Sequence, residues 1–269
     1  MTGSDAPPAT VHRDGALAHV VIGRPHVRGA LDVAARAALA AALREVSDDD
    51  DVRCVVLSGS GGAFSAGQDL REHAAVLAAR DEAVAGGGPA PDAGLAVVEE
   101  YVALALLLAR LPKPVVASVR GTAAGAGAAL AMACDLRLLA ASARVDVGFT
   151  RVGLSPDTGA SWWLPRLVGE GRARDLLLRP RPVPAAECLA IGLATEVVED
   201  DALDARVEQV ARQLADGPTA AYAATRQALA FSAVHDLPTS LAREGELAAQ
   251  ASRSPDHRHA VEAFLHRRG

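Results

Sequence analysis

Aromatic residues are scarce in this chain: they make up 3% of its 269 residues, although 50% of all residues are apolar. A core of normal density must therefore be built from Ala, Val and Leu, with elements packed closely because no large ring fills the gaps. Cysteine is also sparse. Cys54, Cys134 and Cys188 are widely spaced and match no zinc or redox pattern, so they read as buried thiols in a reducing compartment. Positive charge is in deficit, with a formal net charge of -6, which argues against bulk nucleic-acid binding. An anionic small ligand is still admissible, because a few local arginines can set the potential of one cleft. No apolar run approaches the roughly 20 residues of a membrane span. Residues 1–10 have neither the basic nor the apolar region of a signal peptide. The expectation is a cytoplasmic chain with no membrane or nucleic-acid partner.

What is present is a regular alternation of patterns. Residues 11–22 read as a hairpin that turns at Asp14-Gly15. Residues 32–46 carry apolar positions at helical spacing, with Asp32 as N-cap. The acidic run 48–51 reads as a solvated turn, and residues 52–58 have the length of a strand. Asp69, with Glu72 three residues on, predicts a capping box at a helix start. Residues 83–94, rich in Gly, Pro and Ala, read as a mobile surface loop. A helix is expected over 95–111, a buried strand over 115–119, a further helix from Gly125, and strands over 136–139 and 144–147. Helical patterns dominate from Thr158 onward, interrupted near 195–198. This order predicts an α/β core over residues 1–200 and a helical C-terminal region over 201–269. Only a loose strand-loop-helix recurrence is visible, and no clean internal repeat.

Two small-residue segments stand where a strand hands over to a helix: Ala63-Phe-Ser-Ala-Gly-Gln-Asp-Leu70 and Gly121-Thr-Ala-Ala-Gly-Ala-Gly-Ala128. A helix N-terminus offers unpaired N–H groups and a positive dipole end. Small side chains let a ligand come close to that backbone. Two such amides converging on one oxygen would stabilise an enolate or a tetrahedral intermediate. Taken alone, the second segment also fits tight helix packing, and its spacing is not that of a phosphate-binding glycine loop.

Together with Pro112-Lys-Pro-Val-Val-Ala-Ser-Val-Arg-Gly121, Leu130-Ala-Met-Ala-Cys-Asp135, Gly23-Arg-Pro25, Ala30-Leu-Asp32 and Gly153-Leu-Ser-Pro-Asp157, these segments resemble the enoyl-CoA hydratase/isomerase (crotonase) superfamily in order and spacing. The resemblance covers roughly residues 11–265. It implies an α/β crotonase-like spiral of ββα units with a helical C-terminal trimerisation region, assembling as a homotrimer or a dimer of trimers. It implies no permanently bound cofactor and a coenzyme A thioester as substrate. Carried over by motif, the amides of Gln68 and Ala126 form the oxyanion hole. The backbone near Ala66 meets the adenine, and the Val27-Arg28 turn flanks the nucleotide. Asp69, Leu70 and Gly125 also fall in the binding segments. Arg28 and Arg71 are candidates for the CoA phosphates, and they read equally as ordinary surface cations. For Asp69 the capping role outweighs a catalytic one.

Hydratases of the superfamily place two glutamates beside the substrate, and the matching positions here are Ala129 and Phe149. Neither can exchange a proton in the working range. Asp157 lies where isomerases of the family carry an aspartate facing the acyl chain, and residues 149–169 are particularly similar to that branch, as is Gly88-Pro-Ala-Pro-Asp92. Asp157 also reads as an N-cap for a helix over 158–167. Asp146 is a second nearby acid, read as a surface-facing strand position. Trp162 and Trp163 read as helix packing. Ser65 and Ser161 lack an evident base, and the eight histidines lie outside every motif. Three readings remain open: an isomerase with Asp157 as base, a hydratase with a rearranged acid, and a catalytically silent acyl-CoA-binding subunit.

Overall fold

The computed structural model describes residues 7–87 and 93–266. The chain opens with β1 (Ala9–Asp14) and β2 (Leu17–Ile22), an antiparallel hairpin in which Asp14 pairs with Leu17. The turn is therefore Gly15-Ala16 and not Asp14-Gly15. Only the first of these residues has positive φ, the sign pattern of a type II′ turn, for which glycine comes first. Next come β3 (Ala30–Leu31), α1 (Val33–Asp48), β4 (Cys54–Gly59), β5 (Gly67–Gln68), α2 (Leu70–Ala85) and α3 (Ala93–Arg110). Then follow β6 (Val115–Val119), β7 (Thr122–Ala124), α4 (Ala126–Ala133), β8 (Leu136–Ala140), β9 (Arg144–Asp146) and α5 (Ala160–Val168). The remainder is α6 (Glu170–Leu178), β10 (Val183–Pro184), α7 (Ala185–Ala190), β11 (Glu196–Val198), α8 (Leu203–Ala215), α9 (Thr219–Ser232), α10 (Leu237–Ala251) and α11 (Pro255–His266).

The main sheet runs β1-β2-β4-β6-β8-β11, parallel throughout except for the β1–β2 hairpin. Shorter strands stack beside it as β10-β9-β7 and β3-β5. From β2 to α5 the chain thus repeats one motif: a long strand in the main sheet, a short strand outside it, then helix. The recurrence escapes a reading of periodicity because the second strands have only two or three residues. Their alternation is too short to register.

Central strand β4 shows how the core is built without rings. Cys54, Val55, Val56 and Leu57 are all at most 2% exposed. Such a continuous apolar run is what a parallel strand covered on both faces requires. All three cysteines are buried, and burial pushes each thiol up to about 12. Local signals account for several helix ends. Asp32 caps α1 by accepting from Ala35 N–H at 2.8 Å. Buried Lys113 donates to the carbonyls of Val46 and Asp49 at 2.8 and 2.7 Å, a cation closing the C-terminal end of α1.

Other expectations need correction. The predicted loop over 83–94 is partly helical: α2 runs to Ala85, Gly86 and Gly87 form a turn, and Ala93 already belongs to α3. The Gly88–Asp92 similarity lies outside the described residues. The helical C-terminal region also divides. On α8, Leu203, Val207, Ala211 and Ala215 are buried against the main sheet, whereas α9 and α11 bury no side chain fully. Among the described residues, no helix is long and apolar enough to cross a membrane.

Candidate active site

The two small-residue turns lie against each other. Ser65 bridges Ala123 in parallel, and Ala124 N–H donates to Ser65 O at 2.8 Å. Ser65 Oγ donates to Gly29 O at 2.7 Å and accepts from Gly67 N–H at 3.1 Å, so this serine is occupied in shaping the turn. Gly67 has φ +80°, and a Cβ there would sit 2.6 Å from Ala124 O and 3.1 Å from Ala126 N. The backbones carrying Gln68 and Ala126 therefore touch at a point that only glycine permits. Ala126 opens α4, so its N–H has no carbonyl one turn earlier to bond. The neighbouring amides are occupied: Gly125 N–H by Asp146 O at 2.8 Å, and Asp69 N–H by Leu31 O at 3.2 Å.

These turns form one side of a cavity of about 600 Å³. Gln68, Gly125 and Ala126 line it together with Ala66, Asp69, Leu70 and Arg71. Val27 and Arg28 extend the wall from a short helical turn, Pro25–Val27, flanked by left-handed Arg24 and Arg28 at φ 60° and 54°. These are the only two non-glycine residues with positive φ among the described residues, a strained placement of the kind that gathers at functional sites. Phe149 and Asp157 also line the cavity. Ala129 does not. It is fully buried in α4, three residues past the helix start, and is absent from the cavity lining.

Three carboxylates reach this cavity, in different states. Asp69 caps α2 by accepting from Arg71 N–H at 3.0 Å and Glu72 N–H at 3.5 Å, and it pairs with Arg24 at 3.0 Å. Burial alone would raise its pKa, but Arg24 and the two amides outweigh burial and hold it below the usual carboxylate value. The reciprocal half of the predicted capping box is missing. Glu72 accepts instead from Val33 N–H and from Arg36, both at 2.8 Å, because α1 lies alongside. Asp146 is 7% exposed and lines the cavity in a paired ion bridge with Arg151, which corrects its reading as a surface position. Alternation along a strand as short as β9 could not reveal which face was inward. Asp157 is half-buried, and its single hydrogen bond among the described residues is accepted from Thr158 Oγ1 at 2.7 Å. It is no helix cap. Gly159 holds the cap position of α5, with no side-chain hydrogen bond, and Trp163 packs over that glycine.

Cations are divided in the same way. Arg24 and Arg151 are paired, whereas Arg28 and Arg71 are exposed on the cavity wall and form no ion pair among the described residues. Sequence reasoning missed two further features. Tyr101 of α3 is fully buried yet lines the cavity, with its hydroxyl donating to Leu31 O at 3.4 Å. Burial pushes its phenol pKa up. Behind it, buried Arg36 joins α1 to α2 and α3 through Glu72 at 2.8 Å and Glu100 at 2.5 Å, with the Tyr101 ring 5.4 Å away. The available signal was a single aromatic residue on α3 in a chain poor in rings. His26 also lines the cavity.

The chain that builds this cavity matches a known family model, described as "Enoyl-CoA hydratase/isomerase", over residues 12–269. The chain belongs to the enoyl-CoA hydratase/isomerase family. It is 38% identical over 257 residues to the 1,2-epoxyphenylacetyl-CoA isomerase of Escherichia coli K12, covering 96% of this chain and 95% of that protein. It is 29% identical to the short-chain-enoyl-CoA hydratase of Clostridium acetobutylicum, covering 96% and 94%. The crystal structure of an enoyl-CoA hydratase from Mycobacterium smegmatis superposes with a TM-score of 0.87 at 31% identity, covering 97% of each chain. The fold is thus that of the hydratase/isomerase family, and the protein is an acyl-CoA enzyme of that family. Relatives named for isomerisation and for hydration align over nearly the whole chain, so the family frame leaves the choice of reaction to the side chains of the cavity.

Proposed function

We propose that this chain is an enoyl-CoA isomerase in which Asp157 moves a proton along the acyl chain of a CoA thioester. The observation that carries this reading is the state of the three cavity carboxylates. Asp69 is committed to Arg24 and a helix cap, Asp146 is committed to Arg151, and Asp157 keeps one hydrogen bond and no ion pair among the described residues. At the positions where the resemblance puts hydratase glutamates, Ala129 and Phe149 offer no proton exchange.

In this mechanism Asp157 takes a proton from the carbon beside the thioester. The electron pair left on that carbon is shared with the adjacent thioester carbonyl, whose oxygen becomes the enolate, and with the neighbouring carbon–carbon double bond, which carries negative charge to its far carbon. The N–H groups of Gln68 and Ala126 stabilise that oxygen, and one such donor is typically worth about 10²–10³ in rate. Protonated Asp157, only half-buried and able to exchange with solvent, then delivers a proton farther along the chain, leaving the double bond shifted and the carboxylate restored. Asp69 N–H points to β3, and successive amides of an extended segment alternate sides, which directs the Gln68 N–H toward α4. Arg28 and Arg71, at the wall and without an ion pair among the described residues, supply positive charge for the CoA phosphates.

The assembly we propose is a homotrimer or a dimer of trimers. Its support is the apolar surface left on the last helices, where Leu229, Leu237 and Leu241 are 67%, 70% and 55% exposed. Incubation with a 3-enoyl-CoA in deuterated water tests the reaction. Migration of the double bond with deuterium uptake is the expected result. A hydroxyacyl product from the 2-enoyl-CoA would assign hydration instead, and binding without turnover would assign a silent subunit.

A further inference from the structure

The Asp146–Arg151 pair forms part of the cavity wall, yet the proton shift uses neither residue. Arg151 Nη1 donates to Asp146 Oδ2 at 2.9 Å, while Nη2 donates to Oδ1 at 3.2 Å and to Pro180 O at 3.0 Å. Gly148 makes room for the pair: a Cβ there would lie 3.0 Å from Arg151 Nη1 and 3.1 Å from Asp146 Oδ1. Stability does not account for this arrangement. A partly buried ion pair is often no better for folding than apolar residues of the same size. The neighbouring wall residues Phe149, Val152 and Leu154 show that apolar side chains fit this wall.

Position and donor count point to the ligand instead. The Asp146 carbonyl accepts the Gly125 N–H at 2.8 Å, which puts the Asp146 end of the pair beside the Ala126 turn and so, in the mechanism proposed above, toward the thioester end of the acyl chain. A guanidinium carries five N–H donors. Three are used here, and the Arg151 side chain is 50% exposed while that of Asp146 is 10% exposed. Asp146 cancels the positive charge, so the remaining donors suit an uncharged oxygen better than a carboxylate.

We propose that the Asp146–Arg151 pair selects acyl groups bearing an uncharged oxygen substituent, a hydroxyl, carbonyl or ring ether, close to the thioester, through hydrogen bonds from the guanidinium. This rests on the acyl-CoA reading above and names the substrate class for the same cavity.

Calorimetric titration with butyryl-, 3-hydroxybutyryl-, 4-hydroxybutyryl- and succinyl-CoA tests it without requiring turnover. Wild-type protein should bind at least one hydroxylated thioester about tenfold to a hundredfold more tightly than butyryl-CoA, and Arg151→Met should remove that preference. Asp146→Asn, which keeps the volume of the wall, should uncover the arginine charge and move the preference to succinyl-CoA. Equal affinities for all four thioesters in the wild type, or a hydroxyl preference that survives Arg151→Met, would overturn the proposal. A retained preference in a protein that fails to shift double bonds would sink the isomerase reading and leave this one standing. Failure to bind any CoA thioester would defeat both.

Discussion

Residues 63–69 are mostly buried and joined to residues 122–126 by main-chain hydrogen bonds, whereas residues 150–157, a second segment at the cavity, are all exposed or half-buried and begin within one short helical turn, Gly148–Val152. The first wall presents backbone atoms, and its geometry is over-determined by Ser65, Gly67 and Arg24. The second wall presents side chains on a lightly held segment. Backbone amides offer the same chemistry whatever the side chains, so the first wall suits the common step of holding a thioester oxygen. In the proposed mechanism, choice of proton acceptor and acyl group falls to the second wall.

That contrast can be broken at four points. Asp157→Asn should lower kcat for double-bond migration by about 10²–10⁴, with CoA affinity and melting temperature held. Near wild-type turnover in a steady-state assay would remove Asp157 from the mechanism. Arg36→Met lies under the first wall and should lower unfolding free energy by about 3 kcal/mol, because it strands the partly buried Glu72 carboxylate. A denaturation midpoint equal to the wild type would show that the Arg36 cluster does not brace that wall. Gly67→Ala places a Cβ against Ala124 O at a left-handed φ and should cost about 1–3 kcal/mol. It should depress turnover as well, and unchanged kcat with a lowered melting temperature would separate the turn from the oxyanion.

The smallest expected effect is a pH dependence. The folded pKa of Asp69 lies below its unfolded value of about 3.9. Its contribution is therefore present at neutral pH and is lost as pH falls from about 4 through the depressed folded value. The melting-temperature gap between wild type and Asp69→Asn should shrink over that range. A gap independent of pH would mean that the Arg24–Asp69 contact carries no net charge stabilisation.

How much of this was legible beforehand depends on the range of the interaction concerned. Asp32 and Asp69 were readable as caps because the amides they accept lie two or three residues away. The same reasoning failed for Glu72, whose partners Val33 and Arg36 come from a helix more than thirty residues earlier. It failed for Asp157 because Gly159, two positions on, takes the cap of α5. Asp146 was misplaced for a related reason. Its inward face is set by pairing of β9 with β7 and by Arg151, not by its own alternation. Ala129 matches a family position by spacing, and a methyl group buried in α4 does not reach the cavity lining.

By itself, the order of residues settled the elements that depend on close neighbours: the buried strand at Val115–Val119, the two small-residue turns and the family they signal. Only the tertiary structure decided which carboxylates are paired and which one stands open to the cavity. Protonation and pairing depend on charges brought together from Arg24, Arg36 and Arg151, and a linear pattern carries no record of those distances.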